Sequence, residues 1–378
     1  AVSILYSVEV IFIKKDKSGE ITADIVEEVN AEHGLTERVI YYHVARTGIG
    51  FIDRFFSHRK YKSIYKRALK KYLELNGKPA FVHNYIAMKA GLMALWLKRK
   101  YNIPYIVSEQ WTGYLDEAKP NINSYNFIQK RWCQKIFSGA IEVMTVSKVL
   151  GEAVSKRFDI KKYTVIPNVV NTNIFFPKEK TPSQATRLVH VSLLNYQKNF
   201  TAMTEALQKV KEKGYQFNLT VYGNSRDEAL RSVKETNLEK EIIFKREVPQ
   251  EILVHDIQDA DAMLFYSRYE TFGCVVIEAN ACGIPVILSD LPVFREYVIE
   301  NKTGIFVKPG NPDALAEKII YFIENKERFP AEEIASHTKE HFSYSAVAEQ
   351  FDTLYKRTIS NSDHTLAKRG NLLPMRLI

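Results

Sequence analysis

Two glutamates frame one apolar segment, "SRYETFGCVVIEANACGIPVILSD", residues 267–290. Glu270 precedes Phe272 and Gly273, and Glu278 follows with seven residues between the two acids. "AMLFYS" ahead of them reads as a strand, "RYETFG" as the turn at its carboxyl end, and "CVVIEANAC" as a helix stopped by Gly283. Gly273 then sits near the amino end of that helix. Unpaired N–H groups and the helix dipole favour an anion there, and a glycine lets a phosphate approach the backbone. Glu270 lies at the strand tip. Glu278 lies about a turn and a half into the helix, within reach of a hydroxyl pair such as a ribose. Two glutamates at this spacing are common on solvated surfaces. Glu278, however, stands between "CVVI" and "ANAC", and a carboxylate in such apolar company is costly unless something binds it.

Elements on a larger scale must bring these groups to one place. Strands are expected over 2–13, 38–44, 80–84, 104–109, 141–147 and 163–167, then over 187–194, 216–223, 241–247, 262–267, 285–289 and 304–308. Helical patterns fill the intervals: 61–75, 85–100, 123–138, 148–157, 199–213, 226–237, 249–258, 272–282 and 312–326. Alternating strand and helix predicts parallel α/β sheets, and continuous apolar runs such as "PVILS" predict strands covered on both faces. The stretch 166–187 holds three prolines among Asn, Thr and Ser, and reads as a linker. The expected fold class is α/β, with two Rossmann-like doubly wound domains facing a cleft. The N-terminal domain is expected over 1–168, the linker over 169–186 and the C-terminal domain over 187–340. A C-terminal helix over 341–360 and a tail over 361–378 follow. Ligands of such pairs bind at the carboxyl ends of strands, in the cleft.

The composition, 46% hydrophobic and 26% charged, is that of a globular protein, with no apolar run near the ~20 residues of a membrane span. Cys133, Cys274 and Cys282 form no disulfide framework; the last two are roughly 12 Å apart along one helix, too far to bridge. A reducing cytosol suits them. The net charge is +9, and between Arg46 and Lys100 fourteen Lys and Arg face only Asp53 and Glu74. That excess favours an anionic partner. The basic helix over 54–71 reads either as a surface helix with one buried stripe or as a seat for anionic lipid or a phosphate-bearing acceptor.

The segment 267–290, followed by "REYV" and "NKTGIFVKPGNPDALAEKI", resembles the signature of the family 4 (group 1) retaining glycosyltransferases, with its E-x7-E pair and the landmarks after it in order. The resemblance implies the GT-B fold and transfer of a hexose from a nucleotide diphosphate sugar, UDP- or GDP-linked, to a glycan or lipid-linked acceptor, with cell-envelope polysaccharide as the setting. It implies no cofactor and no metal. It implies that Glu270 faces the positive charge developing at the anomeric carbon, that Glu278 holds the ribose, and that the N–H groups of Phe272, Gly273 and Cys274 receive diphosphate or sugar oxygens. "HVSLLNYQKNFTAM", 190–203, resembles the family's phosphate loop and places Lys198 on the diphosphate. Ser192 and Leu193 depart from that loop's usual Gly and Arg, so one of two phosphate cations is missing.

In the N-terminal half, "FVHNYIAMKAGLMALWLKRKYNIPYIVSEQWTGY" resembles the family's acceptor-side motifs, with His83 and Gln110 as sugar or acceptor contacts. Gln110 stands where the family has His and hydrogen-bonds without carrying charge. Glu109 is expected to orient that loop. For His83 a strand-end histidine satisfied by backbone is an equal reading. "AVSILYSVEV" resembles the family's second strand, so the first strand-loop-helix is expected to be absent. The helix at 342–359 is expected to cross back onto the N-terminal domain. "DAD", 259–261, sits at a strand start and is not assigned a metal. Two rival readings are a non-catalytic polyanion-binding protein and a Rossmann-type nucleotide-sugar epimerase or oxidoreductase. Nucleic acid is not an expected partner, since no reader motif is present, and no strand leads into G-x-G-x-x-G. The expected location is cytoplasmic, at most peripheral to a membrane.

Overall fold

The computed structural model describes residues 1–16, 25–32, 34–44, 48–224, 227–366 and 376–377, and side chains as far as Ser360. The N-terminal half holds β1 (Ser7–Lys15), β2 (Ile25–Glu32), β3 (Leu35–Tyr42), α1 (Gly50–Asn76), β4 (Val82–Tyr85), α2 (Gly91–Tyr101), β5 (Tyr105–Glu109), α3 (Phe127–Gly139), β6 (Glu142–Thr145), α4 (Lys148–Phe158) and β7 (Thr164–Val165). These strands form two sheets. One is ordered β4-β5-β6-β7 and is parallel throughout; the other places β3 between β1 and β2. The N-terminal half thus divides its strands between two sheets. Residues 25–32, which carry no strand pattern in sequence, form an antiparallel hairpin with β3. Their side chains are mostly exposed, and Glu27, Glu28 and Glu32 charge an outer edge strand that would otherwise invite pairing.

The C-terminal half follows with β8 (Thr186–Val191), α5 (Phe200–Glu212), β9 (Phe217–Tyr222), α6 (Asp227–Glu235), β10 (Ile242–Lys245), α7 (Gln250–Asp259), β11 (Ala262–Phe265), α8 (Cys274–Ala281), β12 (Val286–Ser289), β13 (Gly304–Val307) and α9 (Pro312–Glu324). All its strands are parallel, in the order β10-β9-β8-β11-β12-β13. β11, β12 and β13 are buried along their whole length, as continuous apolar runs require. The chain winds outward from β8 through β9 and β10, then restarts at β11 and winds the other way. The reversal between β8 and β11 is a topological switch point, where loops at neighbouring strand ends diverge and leave a crevice. Lys198 follows β8 and Glu270 follows β11, so this topology delivers both to one crevice.

Two further helices complete the chain: α10 (Ala331–Phe342), which the sequence reading left out, and α11 (Tyr344–Leu366). Val347, Phe351, Leu354 and Tyr355 of α11 pack with Phe81, Ile106, Met144 and Ile166 of the N-terminal half. A two-residue strand, β14 (Arg376–Leu377), lies parallel to β1. The tail expected over 361–378 falls partly outside the described residues. No described helix is long and apolar enough to cross a membrane.

The halves are joined by a shared helix cap. The Ser147 side chain accepts from Leu150 N in the first turn of α4. The remaining two N–H groups of that turn, Lys148 and Val149, donate to the Glu296 carboxylate of the C-terminal half at 2.7 and 2.9 Å. A carboxylate at a helix N-terminus also meets the positive end of the dipole. Glu296→Ala is expected to destabilise the protein by about 1 kcal/mol and to loosen the closed arrangement. Urea unfolding and small-angle scattering check this; an unchanged midpoint and radius of gyration would show that the cap does not join the halves.

Candidate active site

The crevice at the switch point opens into a cavity of about 440 Å³ whose wall includes Gln110, Asn168, Ser192, Leu193, Lys198, Glu270, Thr271, Phe272, Gly273 and Cys274. Glu270 is only 5% exposed. Lys198 donates to its Oε1, and Ser267 Oγ donates to the same oxygen at 3.0 Å. The Lys198 ammonium also lies 4.6 Å from the centroid of the Phe265 ring. Such a pair persists in a dry wall only because each charge has the other and the carboxylate has a further donor.

The loops that carry the pair are laced together. Arg268 N donates to Gln197 O at 2.7 Å, and Gln197 Nε2 donates to Tyr269 O at 3.0 Å. Asn199 takes a left-handed φ of 53° where the β8 loop enters α5. Phe272 stacks on Tyr297 at 4.9 Å, and the Tyr297 hydroxyl donates to Phe272 O. Burial, with Glu270 nearby, holds the Tyr297 hydroxyl protonated well above its ordinary range. Gly273 caps α8 with φ 86°, which a side chain rarely adopts, and a Cβ there would come within 3.2 Å of Phe294 and Phe265. Gly223 answers a different demand: a Cβ would lie 2.3 Å from Ser192 O, so the glycine permits the β8 and β9 loops to touch.

Across the cavity Glu109 is fully buried. It accepts from the N–H groups of Ala87, Gln110 and Trp111 and from the Tyr114 hydroxyl, at 2.9–3.1 Å. Burial pushes its carboxyl upward while those four donors hold it down. The carboxylate thereby fixes the Gln110 loop, and Thr271 Oγ donates to Gln110 O at 3.1 Å from the other half. Lys119 N donates to the Tyr269 hydroxyl at 3.2 Å nearby.

The structure gathers Lys198, Glu270, Phe272, Gly273, Cys274 and Gln110 at one cavity. Glu278 lies on the same helix but outside that wall, half-buried, where it accepts from Gln250 Nε2 at 3.3 Å. Burial pushes its carboxyl up to about 7. His83 is elsewhere. Its Nδ1 shares a hydrogen bond with the Tyr355 hydroxyl at 2.7 Å and its Nε2 another with Ser108 Oγ. Burial drives its pKa down to about 3, so the ring stays neutral and ties α11 to β4 and β5. It faces a separate cavity of about 950 Å³ beside β1 and β4. Leu193 is 61% exposed at the cavity rim. Among the described residues of the wall, Lys198 is the sole Lys or Arg. The sequence reading missed Ser267, Thr271 and Tyr297; Thr271 follows Glu270 and Ser267 stands three residues before it, which was their only signal. No cluster of three or more His, Cys, Asp or Glu suited to a metal occurs among the described residues. Asp261 of the "DAD" stretch accepts from Arg187 N and pairs with Lys326.

The profile of "Glycosyl transferases group 1" matches residues 171–340, and that of "Glycosyltransferase Family 4" matches residues 25–174. The chain belongs to the group 1, family 4 glycosyltransferases. It is 28% identical over 191 residues to an uncharacterized glycosyltransferase of Methanocaldococcus jannaschii, covering 46% of this chain and 49% of that one. It is 25% identical over 208 residues to N-acetyl-alpha-D-glucosaminyl L-malate synthase of Bacillus anthracis, covering 52% and 54%. The chain thus spans about half the length of these curated relatives. Among solved structures, sucrose-phosphate synthase of Thermosynechococcus elongatus superposes with a TM-score of 0.73 at 22% identity, over 94% of this chain and 90% of that one. Anabaena HepE in complex with UDP and glucose gives 0.62 at 18% identity, over 73% and 78%. The fold of this family member is GT-B.

Gly273→Ala is expected to lower stability by about 1–2 kcal/mol, since the added Cβ meets both a left-handed φ and two rings. The urea midpoint measures it, and an unshifted midpoint would show that the turn relaxes freely.

Proposed function

We propose that this chain transfers a hexose from a UDP- or GDP-linked sugar to a glycan or lipid-linked acceptor, with retention at the anomeric carbon and without a metal, in cell-envelope polysaccharide synthesis. The observation that carries the reading is the Lys198–Glu270 pair in the cavity wall beside the N-terminus of α8. When the C1–O bond breaks, the electron pair goes to the diphosphate oxygen. Lys198 and the N–H groups at the head of α8 are positioned to take that charge. An incoming diphosphate also competes with Glu270 for the ammonium, which frees the carboxylate to face the developing positive charge on the sugar. HepE is described with UDP and glucose, which supports a nucleotide sugar as the donor here. We also read the protein as cytoplasmic, with the basic helix 54–71 turned toward an anionic membrane surface.

Glu270→Ala is expected to abolish transfer while UDP or GDP still protects the protein in a thermal melt; full turnover by this variant would remove Glu270 from the reaction. Lys198→Ala is expected to weaken the nucleoside diphosphate at least tenfold and the nucleoside little. Equal losses would argue against a phosphate contact.

The raised Glu278 carboxyl gives a pH signature. Ribose hydroxyls donate to the ionised form, so a bound ribose lowers a pKa that stands at about 7 in the free protein. Binding therefore releases a proton below pH 7, and affinity rises from pH 6 to 8. An intact nucleotide sugar, whose phosphodiesters do not titrate in this range, is the probe. Calorimetry in buffers of different ionisation enthalpy counts the proton. Glu278→Gln should erase it, and no proton in the wild type would place the ribose elsewhere.

A further inference from the structure

The cavity that holds Lys198 and Glu270 reaches past the transfer chemistry to a second polar end. Its wall also includes Tyr222, Asn224, Glu247, Val248 and Leu253. Asn224 follows β9 by two residues and Glu247 follows β10 by two, while Glu270 stands beyond the tip of β11. In the order β10-β9-β8-β11, three strand spacings of ~4.8 Å lie between β10 and β11, so the two glutamates mark ends roughly 14 Å apart.

Connectivity fixes what lies at the far end. With the sugar facing Glu270 and the diphosphate at Lys198 and the head of α8, the rest of the nucleotide extends away from β11. Glu278, read as the ribose contact, accepts from Gln250 Nε2 at 3.3 Å. Gln250 opens α7 and stands three residues after Glu247, so the ribose site adjoins the loop between β10 and α7. The base, one bond beyond the ribose, is then delivered to Asn224 and Glu247. Val248 and Leu253 add apolar surface at that end.

Asn224 Nδ2 donates to Glu247 Oε2. Both side chains are exposed, and the one Lys or Arg of the described wall, Lys198, is already paired with Glu270. The amide keeps its second N–H, and the carboxylate keeps lone pairs on both oxygens. Side by side they present donor, acceptor, acceptor. Guanine carries the matching edge: O6 accepts, while N1–H and the 2-amino group donate. Uracil offers acceptor, donor, acceptor, which sets its O2 against a carboxylate oxygen. Adenine and cytosine set an amino group against the amide N–H, and a polar group left without a partner in a closed site is costly. We infer that the Asn224–Glu247 pair reads the base and selects a guanine nucleotide, so that the donor is a GDP-linked sugar. This rests on the proposed donor-site reading and narrows it from two bases to one.

Calorimetry of the full chain with GDP, IDP and UDP tests it, since the three share ribose and diphosphate and differ only in the base. GDP should bind about tenfold or more tightly than UDP, and likewise than IDP, whose hypoxanthine lacks the 2-amino group. Glu247→Gln exchanges one acceptor for a donor and presents donor, acceptor, donor, the complement of uracil. It should weaken GDP by about tenfold or more and bind UDP more tightly than the wild type does. Glu247→Ala should bring the three affinities together. Glu247 is exposed, so both variants should melt without ligand as the wild type does, which is the fold control. A wild type that prefers UDP or holds GDP and IDP equally overturns the base assignment and leaves the donor site standing. So does a guanine preference that survives Glu247→Ala. Binding of none of the three removes the donor-site reading itself, and this inference with it.

Discussion

The pairing of Lys198 with Glu270 governs the arrangement around it. Taking two charges out of water costs several kcal/mol for each ion, and their attraction offsets this only with good geometry and further hydrogen bonds. A hydrophobic pair would fill the same space with less risk. The wall keeps the charges, and it also keeps what they need: Ser267 on the carboxylate, the Phe265 ring under the ammonium, and cross-hydrogen bonds between the two loops. Those loops come from strands that are neighbours only because the sheet reverses between them. The ion pair therefore depends on topology first and on side-chain choice second.

A second buried carboxylate works in the opposite half. Among the described residues Glu109 makes no ion pair; backbone N–H groups and a tyrosine hydroxyl satisfy it. Its task is positional. By gathering the N–H groups of Gln110 and Trp111 it fixes the carbonyl of Gln110 where Thr271 can donate to it. Thr271 is the residue after Glu270, so the two carboxylates set the two sides of one cavity through a single hydrogen bond. Glu296, capping α4 from the other half, acts in the same direction at a different point.

What could be read in the sequence divides along physical lines. β11, β12 and β13 were legible because they are buried along their whole length and so are unbroken apolar runs. Glu270, Gly273 and Lys198 were legible because a motif fixes their spacing on a strand-turn-helix unit. β2 was not, since an edge strand exposed on both faces shows no alternation. His83 was ambiguous in sequence and is structural in place: a histidine that accepts and donates to Ser108 and Tyr355 cannot be told from a ligand-binding one until α11, some 270 residues away in the chain, is packed beside it. The basic count of α1 was visible, but the aromatic walls that gather its lysines come from α2 and α3 and required the tertiary fold.

The departure at Leu193 bears on how a diphosphate would be held. With a leucine on the rim and Lys198 the one cation of the described wall, fixed positive charge is scarce. Backbone N–H groups at the head of α8 are neutral donors, and their strength depends on a low local dielectric. Such a site holds a diphosphate well only when water is excluded. Exclusion in turn requires the two halves to stay together, through Thr271 with Gln110 and Glu296 with α4. A second cation would bind the phosphates in an open cleft as well as in a closed one. With none among the described residues of the wall, a diphosphate there would be held tightly only in the closed arrangement, and Lys198 would couple that hold to the contacts that join the halves.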